Sequence, residues 1–337
     1  MSEESVTEER EPSAPGPCAP EPFAPAALEP SALEPAAPIV VIDYHKGNLS
    51  SVERGLVRAG YPNVLVTDDP DDIVRAAGLV LPGVGSFYDA VTYIRDSGQE
   101  LAVKCAVSCG VPLLGICLGM QVLFSRGDEG VLAEALGARD DVVETSDGDG
   151  GSRLWVRGMG LFPGSCTRLE SERLKVPHVG WDQLRVTAAG RACPLLADVP
   201  EGANVYFTHS YAVAEDADPA QVAARTHYAR SFPCVVWGGD DGSGNPGPYP
   251  NVYGCQFHPE KSSGVGELIM GNFARIVRDA HPLSVRAREG AWSLLTTGSM
   301  GPVPGLASLG DMPQAAGLAP APGDANPPQD PQNGATA

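Results

Sequence analysis

The sequence predicts an α/β domain built on an open, mostly parallel sheet with helices on both faces. Short runs of apolar, β-branched residues recur through the middle of the chain, and helical patterns separate them. The chain has 337 residues, of which 43% are hydrophobic. This composition is sufficient for one large domain with a sizeable buried core.

The first element is a strand at residues 39–43, where an uninterrupted apolar run is typical of burial on both faces. The short strands of the second half favour a mixed sheet. Two stretches rich in Gly and Asp, 138–153 and 238–250, are predicted to be loops. Further strands are predicted at 64–66, 78–81, 111–116, 205–207, 234–237 and 252–257, and helices at 49–59 and 101–109.

The two ends of the chain have a different composition. Residues 1–38 contain nine prolines and many alanines and glutamates, so they cannot bury enough apolar surface to offset the entropy of ordering. Residues 283–337 are similar, with a weakly signalled helix near Trp292. The prediction is therefore a domain at 39–282 between two mostly disordered tails.

Charge and hydropathy exclude several classes of function. The net charge is −19, from 23 basic and 42 acidic residues, and no basic cluster suggests a nucleic-acid partner. No apolar stretch is long enough to span a membrane, and the N-terminus lacks a secretory signal. We therefore expect a cytoplasmic protein without membrane association, whose eight cysteines are free thiols.

The segment around Cys117 has the pattern of a nucleophile. A predicted buried strand leads directly into Cys117, glycines stand at 115 and 119, and a helical pattern follows. This is the arrangement of a nucleophile elbow, with a thiol in place of a hydroxyl. The following helix would favour a thiolate, and the N–H of Leu118 would face an oxyanion. The alternative is a small buried cysteine with no chemical role.

A general base is predicted at His258, where a strand meets Pro259. Glu260 stands two residues further on, close enough to orient the imidazole. Since ligands bind at the carboxyl ends of strands in open α/β sheets, Cys117 and His258 can meet there. The alternative for His258 is a structural histidine at the end of a strand. No Cys/His spacing resembles a metal site.

These segments resemble those of the class I (triad) glutamine amidotransferases. The resemblance lies in Gly115-x-Cys117-x-Gly119-x-Gln121 and in His258-Pro-Glu260, in this order and spacing. It implies a flavodoxin-like α/β fold. It also implies that L-glutamine forms a thioester on Cys117, releases ammonia and is hydrolysed to glutamate, without a cofactor or a metal.

Further motifs resemble the glutaminase subunits of imidazole glycerol phosphate synthase over roughly residues 39–280. They are Asp43-Tyr-x-x-Gly-Asn48, Pro82-Gly-Val-Gly85, Pro177-His-Val-Gly-Trp181, Phe207-Thr-His-Ser-Tyr211 and His258-Pro-Glu-Lys261. This resemblance implies a heterodimer with a cyclase subunit, which receives the ammonia in histidine biosynthesis.

The resemblance also implies roles for individual residues. The backbone N–H groups of Val84 and Leu118 would form the oxyanion hole. The implied substrate contacts are Gly83, Gly85, Gln121, His209, Ser210 and Tyr211. The implied partner interface consists of Asn48, Trp181, Tyr206 and Lys261. Each has a structural alternative, such as a Gly-rich turn at 82–85, a buried tryptophan under a loop at Trp181, or a solvated charge at Lys261.

The chain departs from the family pattern at several places. Asp182 stands where the family commonly has asparagine after the tryptophan, and His45-Lys46 replace small residues. Three other functions stay open. One is the glutaminase of another triad synthase, for anthranilate, guanylate or carbamoyl phosphate. The others are a non-catalytic glutaminase-like binding partner and a cysteine hydrolase on a similar sheet.

Overall fold

The computed structural model describes residues 37–146, 151–239 and 247–297. The strands within these ranges are β1 Ile39–Ile42, β2 Val64–Thr67, β3 Gly78–Leu81, β4 Leu113–Ile116, β5 Phe124–Gly127, β6 Val142–Ser146, β7 Ser152–Arg157, β8 Phe162–Arg168, β9 His178–Gln183, β10 Arg185–Val186, β11 Asn204–His209, β12 Tyr211–Val213, β13 Val222–Tyr228, β14 Arg230–Gly238 and β15 Tyr249–Cys255. The helices are α1 Leu49–Arg58, α2 Pro70–Arg75, α3 Phe87–Asp96, α4 Gln99–Ser108, α5 Leu118–Gln121, α6 Ser263–Asp279 and α7 Val285–Thr297.

The central sheet has eight strands in the order β10-β13-β14-β15-β4-β3-β1-β2. The pairs from β15 to β2 are parallel, and those from β10 to β15 are antiparallel. This mixed, mostly parallel sheet confirms the predicted fold class. The structure adds a five-stranded sheet, β12-β8-β5-β7-β6, and a two-stranded ribbon, β11-β9, which the sequence pattern did not predict as separate sheets.

Helices cover the central sheet on both faces, and β1 shows why. Val40 and Ile42 belong to the core under α2, α3 and α4, whereas Ile39 and Val41 belong to the core under α1 and α6. All four side chains are fully buried. Since successive side chains of a strand point to opposite faces, an uninterrupted apolar run is what a sheet covered on both sides requires.

Two predicted loops contain strands. Residues 138–153 were predicted to be a loop, but β6 and the start of β7 lie there and pair as an antiparallel hairpin. The Gly- and Asp-rich composition conceals this pairing, which Trp155 supports by donating a hydrogen bond to Thr145 Oγ1 at 2.8 Å. Residues 147–150 lie outside the described ranges. In the second predicted loop, β15 already begins at Tyr249, and residues 240–246 are likewise outside the described ranges.

Ordered structure extends beyond residue 282, where the predicted domain ends. The helix expected near Trp292 is α7, which packs on α2. Its Arg288 is buried and donates to the carbonyl oxygens of Val74 and Ala76, the latter at 2.7 Å. Trp292 Nε1 donates to Asp71 Oδ1 at 2.7 Å. These contacts order a segment whose composition resembles that of a tail. No helix among the described residues is both long and apolar enough to cross a bilayer.

Candidate active site

Cys117 occupies the junction between β4 and α5, at the carboxyl edge of the central sheet. Its backbone has φ +56°, in the region that residues with a side chain rarely adopt. Its N–H donates to the Cys255 carbonyl at 2.7 Å, and its own carbonyl accepts from Gln121 N–H at 3.1 Å. The tight strand-to-helix turn predicted from the sequence is therefore present. Backbone hydrogen bonds with Cys255 and Gln121 hold Cys117 in its strained conformation.

The flanking glycines allow this turn to pack against the sheet. A Cβ on Gly119 would lie 1.7 Å from the Leu81 carbonyl oxygen, and one on Gly115 would lie 2.7 Å from the Gly119 carbonyl oxygen. Neither glycine has a positive φ, so the requirement is for close approach. The helix that follows has only four residues, so its aligned peptide dipoles contribute less than the sequence pattern suggested.

His258 and Glu260 lie beyond the end of β15, the parallel neighbour of β4. His258 Nδ1 is 2.8 Å from Glu260 Oε1, and both side chains are almost completely buried. Burial lowers the pKa of His258, but interactions with Cys117 and Glu260 outweigh it and raise the pKa to about 10. Within the described residues, His258 Nε2 is buried without a hydrogen bond. That nitrogen is therefore free to exchange a proton with a reacting group.

The sulfur of Cys117 also has a neighbour that the sequence analysis missed. Gln256 Nε2 donates to Cys117 Sγ at 3.6 Å, and Gln256 is fully buried. The position of Gln256 two residues before His258, at the end of a predicted strand, was the signal that could have identified it.

A small cavity opens beside Cys117 and collects most of the predicted substrate site. It is lined by Val84, Gly85, Cys117, Leu118, Gln121, Glu129, Thr208, His209, Ser210 and Tyr211. All the predicted oxyanion and substrate residues line this cavity except Gly83, which is buried. The site therefore assembles around Cys117 from segments that are far apart in the sequence.

Glu129 is the carboxylate of this cavity, and no sequence motif indicated it. Its pKa is raised to about 7, mainly by burial and also by the charges of Asp128 and Asp89. A hydrogen bond from Phe87 N–H to Oε2, at 3.1 Å, acts in the opposite direction. Glu129 is therefore a negative group that titrates near neutrality on the wall of the cavity. Such a group suits a ligand carrying an ammonium.

The predicted oxyanion residues, Val84 and Leu118, line the same cavity as Cys117. Val84 is 43% exposed on the loop after β3, whereas Leu118 is buried in the first turn of α5. Tyr44 packs against this loop: a Cβ on Gly83 would lie 1.9 Å from the Tyr44 hydroxyl oxygen. That hydroxyl is buried and makes no hydrogen bond within the described residues. Glycine is thus required at 83 because Tyr44 fills the space.

Two of the residues predicted to contact the substrate, Gln121 and His209, make hydrogen bonds to other residues of the protein. Gln121 Nε2 donates to the Tyr211 carbonyl at 2.8 Å and to Gln256 Oε1 at 3.0 Å. His209 has both ring nitrogens in contact, with the Tyr211 carbonyl at 2.8 Å and with His178 at 3.3 Å. Gln121 and His209 therefore stabilise the wall of the cavity through their polar atoms.

Two of the four residues predicted to contact a partner lie side by side on the ribbon of β9 and β11. Trp181 is 50% exposed and pairs across the ribbon with Tyr206, their rings 5.9 Å apart. The Tyr206 carbonyl accepts from His258 N–H at 2.9 Å, so this ribbon is bonded directly to the triad segment. Lys261 and Asn48 are both exposed, and Asn48 immediately precedes α1.

No metal centre is found among the described residues, because they contain no group of three or more His, Cys, Asp or Glu side chains placed to hold an ion.

The family model and the curated relatives described next agree on one protein family. Residues 40–276 match the family described as glutamine amidotransferase class-I. A protein of Moorella thermoacetica, "Imidazole glycerol phosphate synthase subunit HisH", is 40% identical over 243 residues, covering 72% of this chain and 97% of the relative. The protein of the same name from Geobacillus thermodenitrificans is 42% identical over 240 residues, covering 71% and 96%. A solved structure described as a glutamine amidotransferase has 16% identity and a TM-score of 0.48, covering 71% of this chain and 99% of that one.

Proposed function

Because this chain belongs to the class-I glutamine amidotransferase family, we propose that it is the glutaminase subunit of an imidazole glycerol phosphate synthase, hydrolysing L-glutamine to L-glutamate and ammonia. The observation that carries the proposal is the convergence of Cys117, His258 and Glu260 at the ends of two adjacent parallel strands. The relatives are matched over 97% and 96% of their own length, and their printed name supports the choice of synthase.

The residues are placed for a two-step acyl transfer. Cys117 Sγ attacks the side-chain amide carbon of glutamine, and the resulting oxyanion accepts hydrogen bonds from the N–H groups of Leu118 and Val84. His258 gives a proton to the departing ammonia, which leaves a thioester on Cys117. A water molecule, deprotonated by His258, then attacks the thioester and releases glutamate and the thiol. Glu260 keeps His258 in one tautomer throughout.

The cavity also carries groups that suit the amino-acid end of glutamine. The Glu129 carboxylate is matched to the α-ammonium group, since it is the charged group on the cavity wall. Ser210 and Tyr211 line the same cavity, and we assign them to the α-carboxylate and the side chain. Recognition of the whole amino acid is what restricts the nucleophile to free glutamine.

The partner is a cyclase subunit that receives the ammonia, and the complex is a cytoplasmic heterodimer. The exposed Trp181 on the β9–β11 ribbon supports this, because half-exposed tryptophans are frequent anchors of protein interfaces. Tyr206, Lys261 and Asn48 complete the proposed docking surface. The backbone bond between Tyr206 and His258 connects that surface to the triad.

The test is glutamate release from glutamine, with and without a cyclase subunit and its phosphoribulosyl substrate. We expect weak release by the chain alone, strong stimulation by the loaded cyclase, and no release by Cys117→Ala under either condition. Glutamate release that ignores the cyclase would assign the chain to another triad synthase. Absence of release under both conditions would favour a non-catalytic binding protein.

A further inference from the structure

A chain of polar contacts begins at Asp182, on the strand that also carries Trp181. Asp182 Oδ2 lies 2.9 Å from Nε2 of His178. His178 Nδ1 lies 3.3 Å from Nε2 of His209, whose Nδ1 lies 2.8 Å from the Tyr211 carbonyl oxygen. The Asp182 side chain is 36% exposed, whereas both imidazoles are buried. The chain thus leads from the surface ribbon to the wall of the cavity.

The contacts continue from Tyr211 to the nucleophile. The Tyr211 carbonyl also accepts from Gln121, which donates to Gln256, which in turn donates to the Cys117 sulfur. The three side chains of this second half are buried. Buried polar groups without alternative partners adopt the orientation that their neighbours impose. A residue that holds the contacts between Asp182 and Tyr211 therefore also affects the orientation of the side chains between Tyr211 and Cys117.

The acceptors at the two ends of this chain of contacts determine which ring nitrogen of each histidine carries the proton. An ionised carboxylate and a carbonyl only accept hydrogen bonds, so each end of the Asp182-to-Tyr211 chain requires a donor. Two neutral imidazoles carry one proton each. His178 must then hold its proton on Nε2 and His209 on Nδ1, which leaves two unprotonated nitrogens facing each other. Their contact, at 3.3 Å, is the longest of the three.

The surroundings keep both rings neutral. Burial lowers the pKa of His178, against the charge of Asp182. The pKa of His209 is lowered to about 3, mainly by burial and further by the nearby His178, His258 and Arg230. The hydrogen bond with the Tyr211 carbonyl acts in the opposite direction but is outweighed. His178 is stacked on Phe207 and Tyr228, which offer no charge. An asparagine at 182, as is common in the resembled family, would instead donate to His178 and reverse its tautomer.

We propose that Asp182 is a positioning residue for Cys117: it fixes the tautomer of His178 and holds its ring against His209, which in turn donates to the Tyr211 carbonyl that orients Gln121 and Gln256. Only the designation of Cys117 as nucleophile rests on the proposed function. The chain of contacts itself does not depend on which substrate the cavity accepts.

The direct test is ¹⁵N NMR of the histidine rings in the whole chain and in Asp182→Asn. In the native protein we expect His178 to be protonated on Nε2 and His209 on Nδ1. In Asp182→Asn, His178 is expected to switch its proton to Nδ1 while His209 keeps its own. An unchanged His178 tautomer would overturn the proposal, whatever the activity of either protein.

The consequence for Cys117 is tested by its rate of alkylation with iodoacetamide, read at that residue by mass spectrometry. We expect Asp182→Ala to change the rate several-fold and Asp182→Asn to restore it, because asparagine again anchors His178. Asp198→Ala, a matched loss of charge before β11, should leave the rate unchanged. A native rate in Asp182→Ala, folded by circular dichroism, would contradict the proposal. Failure of glutamine hydrolysis alone would instead affect only the proposed function.

Discussion

His258 Nδ1 lies 2.8 Å from Glu260 Oε1, although only Pro259 separates the two residues in the chain. The proline begins a short turn, so the carboxylate folds back beside the ring that it orients. Glu260→Gln should therefore reduce kcat for glutamine hydrolysis by roughly 10²- to 10⁴-fold, because the imidazole loses its charge partner and its fixed tautomer. KM for glutamine should change much less, since Glu260 does not line the cavity.

Glu267→Gln is the matched control for this variant. Glu267 is an exposed residue of α6 whose nearest cation, Arg58, is 3.9 Å away at the surface. Steady-state glutamate release should be native in Glu267→Gln. A kcat for Glu260→Gln within the error of the native value would remove Glu260 from the triad.

The raised pKa of His258 predicts a pH dependence of stability. Its pKa is about 10 in the folded chain, and an unperturbed histidine titrates near roughly 6.5. Between these values the folded state holds a proton that the unfolded state has lost. The free energy of unfolding should therefore be highest below the lower value and fall as pH rises through about 10, by up to roughly 1.4 kcal/mol per pH unit.

The measurement is urea unfolding of the native chain and of His258→Asn at intervals from pH 6 to pH 10. Only the difference between the two curves isolates His258, because other groups titrate in the same range. That difference should shrink as the pH rises. A difference that is constant over the whole range would mean that the pKa of His258 is not raised.

Local patterns were sufficient to predict six of the eight strands of the central sheet, all except β10 and β13. The apolar run at 39–43 became β1 because each of its side chains is buried against one of two helical layers. The hairpin of β6 and β7 was missed, since its stability comes from cross-strand pairing that a Gly- and Asp-rich sequence does not display. The packing of α7 could not be predicted either, because an arginine such as Arg288 is usually exposed. Here it is buried by donating to the carbonyl oxygens of Val74 and Ala76, which are distant in the sequence.

Motifs identified the site residues that are close together in the sequence, and geometry identified the others. Cys117 and His258 each follow a buried strand, which makes them visible. Glu129 lies outside any motif, and its role depends on a fold that brings it to the same cavity as Tyr211. Gln256 was predicted only as a strand residue and Tyr44 only as part of a motif, because their contacts with Cys117 and Gly83 join distant segments.

Glu129 should control the affinity for glutamine in a pH-dependent way. Its pKa of about 7 means that the carboxylate forms as the pH rises through neutrality, so KM for glutamine should fall over the same interval. Glu129→Gln should raise KM by roughly 10- to 100-fold, the loss of a hydrogen bond to a charged group, and should abolish this pH dependence. Steady-state kinetics from pH 5.5 to pH 8.5 would show both effects.

Glu134→Gln provides the control for Glu129, since this exposed carboxylate lies in the same stretch of chain outside the cavity. Its KM should follow the native profile. If Glu129→Gln retained the native KM at pH 8, the carboxylate would not bind the α-ammonium group.

Removing the hydroxyl of Tyr44 should not destabilise the protein. The hydroxyl is buried without a partner among the described residues, so Tyr44→Phe should leave the free energy of unfolding unchanged or raise it by about 1–2 kcal/mol. Tyr61→Phe is the contrast, because the Tyr61 hydroxyl donates to the Ala37 carbonyl at 3.1 Å, and its loss should cost about 1 kcal/mol. Urea unfolding measures both. A loss of stability in Tyr44→Phe would reveal a hydrogen bond to that hydroxyl.

Trp181 should anchor the cyclase subunit without taking part in hydrolysis. Its half-exposed ring stands beside Tyr206 on the ribbon and outside the cavity that holds Cys117. Trp181→Ala should weaken the complex by about 2 kcal/mol or more, roughly a 30-fold rise in Kd, and reduce ammonia-dependent product more than glutamate release. Titration calorimetry and the paired assay of glutamate and cyclase product would measure these effects. Leu101→Ala, which shortens an exposed apolar residue on α4, should bind as the native chain does. Native affinity and native coupling in Trp181→Ala would place the partner on another surface.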